Sequence, residues 1–221
     1  MNTIVFDIET IPIDFNELDE KQQEYLLKFA ENKEEEEQVR QQMALWAPTN
    51  KIVAIGVLSV ETQKGAVYFQ DGGTDIESYE KNGITYRSGD ESDVLERFWE
   101  VMKTASQFVT FNGRSFDCPV LLLRSGMLGV RPSKNLVPYR YSTDVHVDLL
   151  EQLTFYGASR KFNLDMYCKS FGIKSPKTDV CGHDVKPLFG QGKYTDIAEY
   201  CAGDLFATRE LFLCWKKYMA F

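Results

Sequence analysis

The chain has 221 residues, 43% of them hydrophobic and 26% charged, with a formal net charge of −8. That is enough for one domain with a substantial core; the sequence has no run of eighteen apolar residues to span a membrane and no basic start of a secretory signal. Its five cysteines, odd in number and without a Cys-x-x-Cys pair, argue against a zinc site or disulfide framework and fit a reducing, cytoplasmic setting.

Residues 3–8 form a β-rich run that reads as a buried strand, ended by Pro12. Residues 16–45 place Leu18, Tyr25, Leu26, Phe29, Val39 and Met43 at roughly helical spacing among Glu, Gln and Lys, and read as one or two charged helices. They are too poor in apolar residues to build their own core, so 14–47 is expected to be an insertion within a single domain, 1–221. Residues 52–60 and 66–69 read as strands joined by a turn at Gln63-Lys64-Gly65, and 71–91 as a loop or a ragged extension. A helix is expected from Ser92, its N-cap, to Lys103, then a strand over 107–111. Another helix begins at Pro119, 130–142 is irregular, and 144–155, 163–171 and 196–218 read as helices, with Asn163 as a cap. Strands first, then strand and helix in alternation, predict an α/β fold: a mixed sheet flanked by helices, with a helical acidic insertion after the first strand.

Charge is unevenly spread. Much of the acidity lies between Asp14 and Glu37, whereas the stretch from Arg114 to Lys186 is rich in Arg and Lys. Two readings stand: two solvated faces, or one face that receives phosphates and an acidic appendage that avoids them.

Three short acidic stretches carry the chemistry. Asp7 and Glu9, two apart in a strand, point to one side, with Phe6 and Ile8 to the other. At about 4 Å such a like-charge pair repels by ~1 kcal/mol in water and ~4 kcal/mol at an effective dielectric of 20, a cost that a hard divalent cation offsets. Asp117 follows a strand end and a glycine turn, where it could equally cap the helix beginning at Pro119. Tyr200 and Asp204 lie one turn apart on a long helix, beside an apolar stripe of Ile197, Cys201, Leu205 and Thr208.

In order and local context these stretches resemble the DEDD 3′–5′ exonucleases, whose sheet is ribonuclease-H-like, and most of all the exonuclease domain of family B DNA polymerases and its stand-alone prokaryotic relatives. Asp-x-Glu is matched by Asp7 and Glu9, the Asn-to-aromatic-Asp motif by Asn112, Phe116 and Asp117, and Tyr-x-x-x-Asp by Tyr200 and Asp204. The histidine branch would need His where Glu199 stands, so the likeness is to the tyrosine branch; His146 and His183 fall outside the pattern and read as structural or surface residues. The resemblance implies that Asp7, Glu9, Asp117 and Asp204 hold two ions of Mg²⁺ or Mn²⁺, and that Tyr200 orients the reacting groups. It also implies that Thr10, Ile11, Asn112 and Phe116 meet the terminal nucleotide. The implied substrate is a single-stranded DNA or RNA 3′ end, the product a nucleoside 5′-monophosphate. No polymerase segment is present, so a separate polymerase or repair protein is the candidate partner. The resemblance leaves 14–47 and 71–91 unaccounted for.

Two other classes compete. Asp7-Ile-Glu-Thr loosely resembles the Asp-x-Asp-x-Thr start of aspartate-nucleophile phosphatases, but Glu9 departs from it. A non-catalytic nucleic-acid-binding module on the same fold is the other; all five expected residues being present argues against it.

Overall fold

Ile4, Phe6 and Ile8 alternate with Val5, Asp7 and Glu9 along the first strand, so one face of it is apolar and the other ends in two acids. The structure, a computed structural model, describes residues 2–174 and 182–220. In chain order the strands are β1 (Thr3–Pro12), β2 (Asn50–Ser59), β3 (Gly65–Gln70), β4 (Tyr79–Lys81), β5 (Ile84–Gly89), β6 (Gln107–Thr110) and β7 (His146–Asp148). The helices are α1 (Glu20–Leu27), α2 (Lys33–Gln42), α3 (Glu91–Met102), α4 (Asp117–Leu128), α5 (Leu149–Leu153), α6 (Leu164–Ser170), α7 (Val185–Gly190) and α8 (Tyr194–Tyr218).

The strands form one mixed sheet in the order β4-β5-β3-β2-β1-β6-β7. β1 pairs antiparallel with β2 and parallel with β6, which puts it near the middle of the sheet. The expected mixed sheet flanked by helices is therefore present. On one face Phe6 packs edge-on to Phe98 at 5.3 Å and against Phe108 at 5.4 Å, under α3 and α4. On the other, Val5 lies beneath α8, with Ile197, Cys201, Leu205 and Phe212 buried. Gly56 of β2, directly opposite Asp7, permits this approach: a Cβ there would lie 2.7 Å from Leu205 Cδ1 and 2.9 Å from Cys201 Sγ.

Several elements differ from the sequence expectation. Residues 71–91 are not merely a loop, because β4 and β5 form a hairpin across Asn82-Gly83, whose φ values are 53° and 80°. Asn-Gly is the turn signal for such a hairpin, but Tyr-Glu-Lys at a sheet edge shows little of the apolar alternation that marks a strand. Tyr79 stacks on its cross-strand partner Tyr86 at 4.5 Å. The helix expected over 144–155 is β7 followed by the short α5; three residues joining β6 in parallel are too few to show a period. The cap of α3 is Asp90, in a reciprocal box with Asp93, and not Ser92. Asn163 does cap α6.

The insertion folds as α1 and α2 around a small cluster of Phe15, Leu18 and Met43, with the Arg40 guanidinium 3.7 Å from the Phe15 ring centre. Part of the basic stretch is paired within the chain, Arg114 and Arg124 in buried pairs and Arg140 and Lys169 at the surface. Arg114 and Arg140 both pair with Glu151, Arg124 with Glu91, and Lys169 with Asp165. Lys177 lies outside the described residues.

Candidate active site

Asp7 and Glu9 leave β1 on the side covered by α8. Pairing with β2 slips between Glu9, opposite Ala54, and Thr10, opposite Ile52, so Val53 is an extra residue. A bulge of this kind re-aims side chains, and bulges are common beside active sites.

Asp117 arrives from the turn between β6 and α4. Asn112 there has φ 65°, and a Cβ on Gly113 would lie 2.4 Å from Thr110 Oγ1. Asp148 holds the turn from behind: its carboxylate accepts the N–H groups of Asn112 (3.1 Å) and Arg114 (2.9 Å) while also capping α5 through Leu150 (3.0 Å). Asp117 is not the helix cap; Phe116 occupies that position and makes no side-chain cap bond. Instead Asp117 Oδ1 accepts the backbone N–H of Ile8 at 3.1 Å, between the two acids of β1. The turn and the strand need this bond because both groups are buried.

Tyr200 and Asp204 descend from α8, and the phenol is hydrogen-bonded to the Asp204 carboxylate. The stripe expected beside them is buried, with Ile197, Cys201, Leu205 and Thr208 at 2% exposure or less. Cys201 also reaches the acids: one donor atom each from Asp7, Glu9 and Cys201 lie within 4.8 Å of one another. In the sequence Cys201 belongs to the apolar stripe alone, since a cysteine next to Tyr200 carries no signal of its own.

The electrostatics follow from burial. Loss of water, then the charges of Asp117, Asp204 and Glu9, push Asp7 well above the usual carboxylate range. Glu9 is pushed up by burial, then by Asp204 and Asp117. Burial lifts Asp117 to about 7, against the backbone N–H bonds that favour its anion. Tyr200 is also raised, by burial first and the three nearby acids next, so its phenol keeps its proton. Burial and the same acids raise Cys201 well above its ordinary value. A protonated thiol is a poor metal ligand, and this one points an S–H toward the Asp7 carbonyl at 3.8 Å. The donor set is thus one of hard oxygens crowded together, with Asp7, Glu9 and Asp117 each raised by burial and by like charge. Such a set suits a divalent cation of the Mg²⁺ or Mn²⁺ class.

A cleft of about 770 Å³ opens beside Glu9 and Asp204, lined also by Ile8, Thr10, Phe116 and Tyr200, by residues of α2 and by Asn163, Leu164 and Asp165 at the start of α6; Asp7 and Asp117 sit behind this lining. Of the residues expected to meet a nucleotide, Phe116 and Thr10 line it, the Thr10 hydroxyl donating to the Ala44 carbonyl at 2.7 Å. Ile11 packs against the core beneath α8 and lines a separate hollow with Phe15 and Lys186. Asn112 shapes the turn through its backbone. His146 is buried, stacked on Phe108 and hydrogen-bonded to Thr110 Oγ1 at 2.8 Å; burial and Arg114 lower it to about 3, so it is a neutral structural group. The His183 side chain lies outside the described residues. Glu199, where the histidine branch would carry His, pairs with Lys81 of β4 at 2.8 Å.

Known proteins resemble this chain in part. The chain is 26% identical over 141 residues to the catalytic subunit of DNA polymerase epsilon from Aspergillus fumigatus, a match spanning 59% of the chain and 6% of that polymerase. Its fold superposes on the family B DNA polymerase of the hyperthermophilic archaeon Pyrobaculum calidifontis with a TM-score of 0.61 at 18% identity, covering 97% of this chain and 24% of that one. Residues 44–221 match the model of a family described as a predicted 3′-5′ exonuclease related to the exonuclease domain of PolB. That match begins after β1, so it is the fold that joins Asp7 and Glu9 to Asp117, Tyr200 and Asp204. With most of its length matched, the chain belongs to this family of predicted PolB-related 3′-5′ exonucleases.

Proposed function

We propose that the cleft hydrolyses the last phosphodiester at the 3′ end of a single nucleic-acid strand, DNA in the first instance, and releases nucleoside 5′-monophosphates. The observation that carries this reading is the meeting of Asp7, Glu9 and Asp117, from two distant parts of the chain, with Asp204 and a protonated Tyr200, beside a cleft that Glu9, Tyr200 and Asp204 line. Asp7, Glu9, Asp117 and Asp204 are the residues that would hold two divalent cations, since cations relieve the mutual repulsion of the cluster. Bound there, such ions stabilise charge on the attacking and leaving oxygens of a phosphodiester.

The chain's own groups do the rest. The Ile8 N–H fixes one oxygen of Asp117 and so holds this carboxylate against the strand of Asp7 and Glu9. Burial and the nearby acids raise Tyr200, so its phenol serves as a hydrogen-bond donor and not as a base. Phe116 offers an apolar face to a terminal base or sugar. Local positive charge from cations also reconciles a protein of net charge −8 with a polyanionic substrate. Because the relatives are polymerases, action beside a separate polymerase is part of the proposal.

A 5′-labelled oligonucleotide tests it. With Mn²⁺ or Mg²⁺, a ladder shortening from the 3′ end is expected, lost on chelation and in Asp7→Asn. Smooth internal cutting, or strand binding without shortening, would contradict the reading. An RNA strand in parallel decides whether a 2′-hydroxyl is tolerated.

A further inference from the structure

The insertion between β1 and β2 is not a remote appendage. Gln38, Gln41 and Gln42 of α2, with Leu45 just beyond it, line the same cleft as Glu9, Tyr200 and Asp204. Their spacing of i, i+3, i+4 and i+7 puts them on one helical face. Gln42 is exposed and Gln38 and Leu45 are open to solvent as well, so the face is accessible from the cleft. Another face of α2 is anchored: Met43 is buried beside Phe15, and Arg40 stacks on the Phe15 ring. The end of the helix is tied down next to the acids. The Ala44 carbonyl accepts Thr10 Oγ1 at 2.7 Å and Asn50 Nδ2 at 3.0 Å, and the Met43 carbonyl accepts Thr49 Oγ1 at 2.9 Å. Thr10 directly follows Glu9. The amide face is therefore held at a fixed register beside the carboxylates. Residues 33–42 also precede residue 44, where the family match begins.

Residue type matters here. A Lys or Arg at these positions would pair with Glu9 or Asp204 and compete for the cation ligands. A Glu would repel phosphate, and the acids of α2, Glu34 to Glu37, do not line the cleft. A glutamine amide adds no charge, yet brings two donors and an acceptor that serve any base edge or sugar hydroxyl. The cleft volume of about 770 Å³ falls within the roughly 300–1,000 Å³ of sites that enclose small ligands. A few unpaired nucleotides suit that size.

We propose that α2 is the strand-selecting wall of the site, with Gln38, Gln41 and Gln42 hydrogen-bonding the unpaired 3′-terminal nucleotides of a single strand. This rests on the exonuclease reading and names the groups that hold its strand.

The test compares the wild type with the triple variant Gln38→Ala, Gln41→Ala, Gln42→Ala, using labelled single-stranded DNA and the same sequence as a blunt duplex. None of the three side chains belongs to the buried core, and a thermal melt confirms folding; the single variant Gln41→Ala serves if the triple one melts early. The wild type is expected to prefer the single strand. In the triple variant KM for the single strand should rise about 10- to 100-fold, the equivalent of two or three hydrogen bonds, with kcat changed less. Gln41→Glu should bind the strand more weakly than Gln41→Ala. An unchanged KM in the triple variant, or equal wild-type rates on duplex and single strand, would overturn the proposal. Should the wild type hydrolyse neither, the exonuclease reading fails separately, and fluorescence anisotropy of a labelled single strand decides this one. Weaker binding by the triple variant supports the wall, and equal binding overturns it.

Discussion

The backbone N–H of Ile8 donates to Asp117 Oδ1 at 3.1 Å. The donor belongs to the peptide that joins Asp7 to Ile8, and the acceptor lies 109 residues further along the chain than Ile8. One bond thus fixes the second acidic motif against the first.

Asp7→Asn and Asp204→Asn should each lower hydrolysis by at least about 10²-fold, the scale expected when a group stabilising transition-state charge is removed. The fold should survive. Asp7→Asn should also melt at a higher temperature than the wild type in chelator, since it relieves a buried acid raised by burial and by Asp117, Asp204 and Glu9. Melting curves with and without Mg²⁺ check this: the wild type should gain stability from the ion and the variant should gain little.

The acid cluster predicts a pH dependence of stability opposite to that of an ordinary salt-bridged carboxylate. Asp117 titrates at about 7 in the folded protein against 3.8 ordinarily, and Asp7 and Glu9 shift the same way. The metal-free folded state therefore binds more protons than the unfolded one, and stability falls as pH rises from about 4 through 7. Divalent ions compete with those protons, so their affinity should climb over the same range. Denaturant titrations at pH 5 and pH 8, with and without Mg²⁺, would show the two trends; greater ion-free stability at pH 8 would contradict this account.

Tyr200→Phe should slow hydrolysis by roughly 10- to 100-fold, the value of one hydrogen bond involving a charged partner. The shape of the pH–rate profile should not change, because the phenol is held protonated by burial and by Asp204, Glu9 and Asp7. Loss of an alkaline limb in the variant would show that Tyr200 titrates during turnover.

Gly56→Ala places a methyl group 2.7 Å from Leu205 Cδ1 and 2.9 Å from Cys201 Sγ. Overpacking of this kind costs about 1–3 kcal/mol. Relief by a lift of α8 from β2 carries Tyr200 and Asp204 away from Asp7. A lower melting temperature together with a lower kcat is expected, whereas a purely thermal effect would mean that the helix absorbs the methyl by side-chain movement.

Arg124 grips Glu91 through two contacts, 2.8 and 2.6 Å, and Glu91 Oε1 also accepts the Ile52 N–H at 2.9 Å. Both side chains are only 11% exposed. Arg124→Ala strands the carboxylate and should cost about 3–5 kcal/mol, lowering the melting temperature by roughly 10 °C. The pair lies on the α3–α4 side of the sheet, away from the cleft, so turnover well below the transition should be retained.

Local order in the chain determined the strand of Asp7 and Glu9, the facing of Tyr200 and Asp204, and the helical cap at Asn163. Each depends on backbone periodicity or on a cap bond spanning three residues, and both are written in adjacent positions. The hairpin at Asn82-Gly83 was also written locally, but its polar edge strands carry little apolar alternation. Tertiary structure alone decided the rest. Cys201 joins the acids because Gly56 lets α8 come close; Asp148 grips the Asn112 turn only once β7 lies beside β6; and Gln38, Gln41 and Gln42 face the cleft because Thr10 and Asn50 bind the Ala44 carbonyl. These relations join residues far apart in sequence, and they exist only after the burial of apolar faces has set how the elements pack.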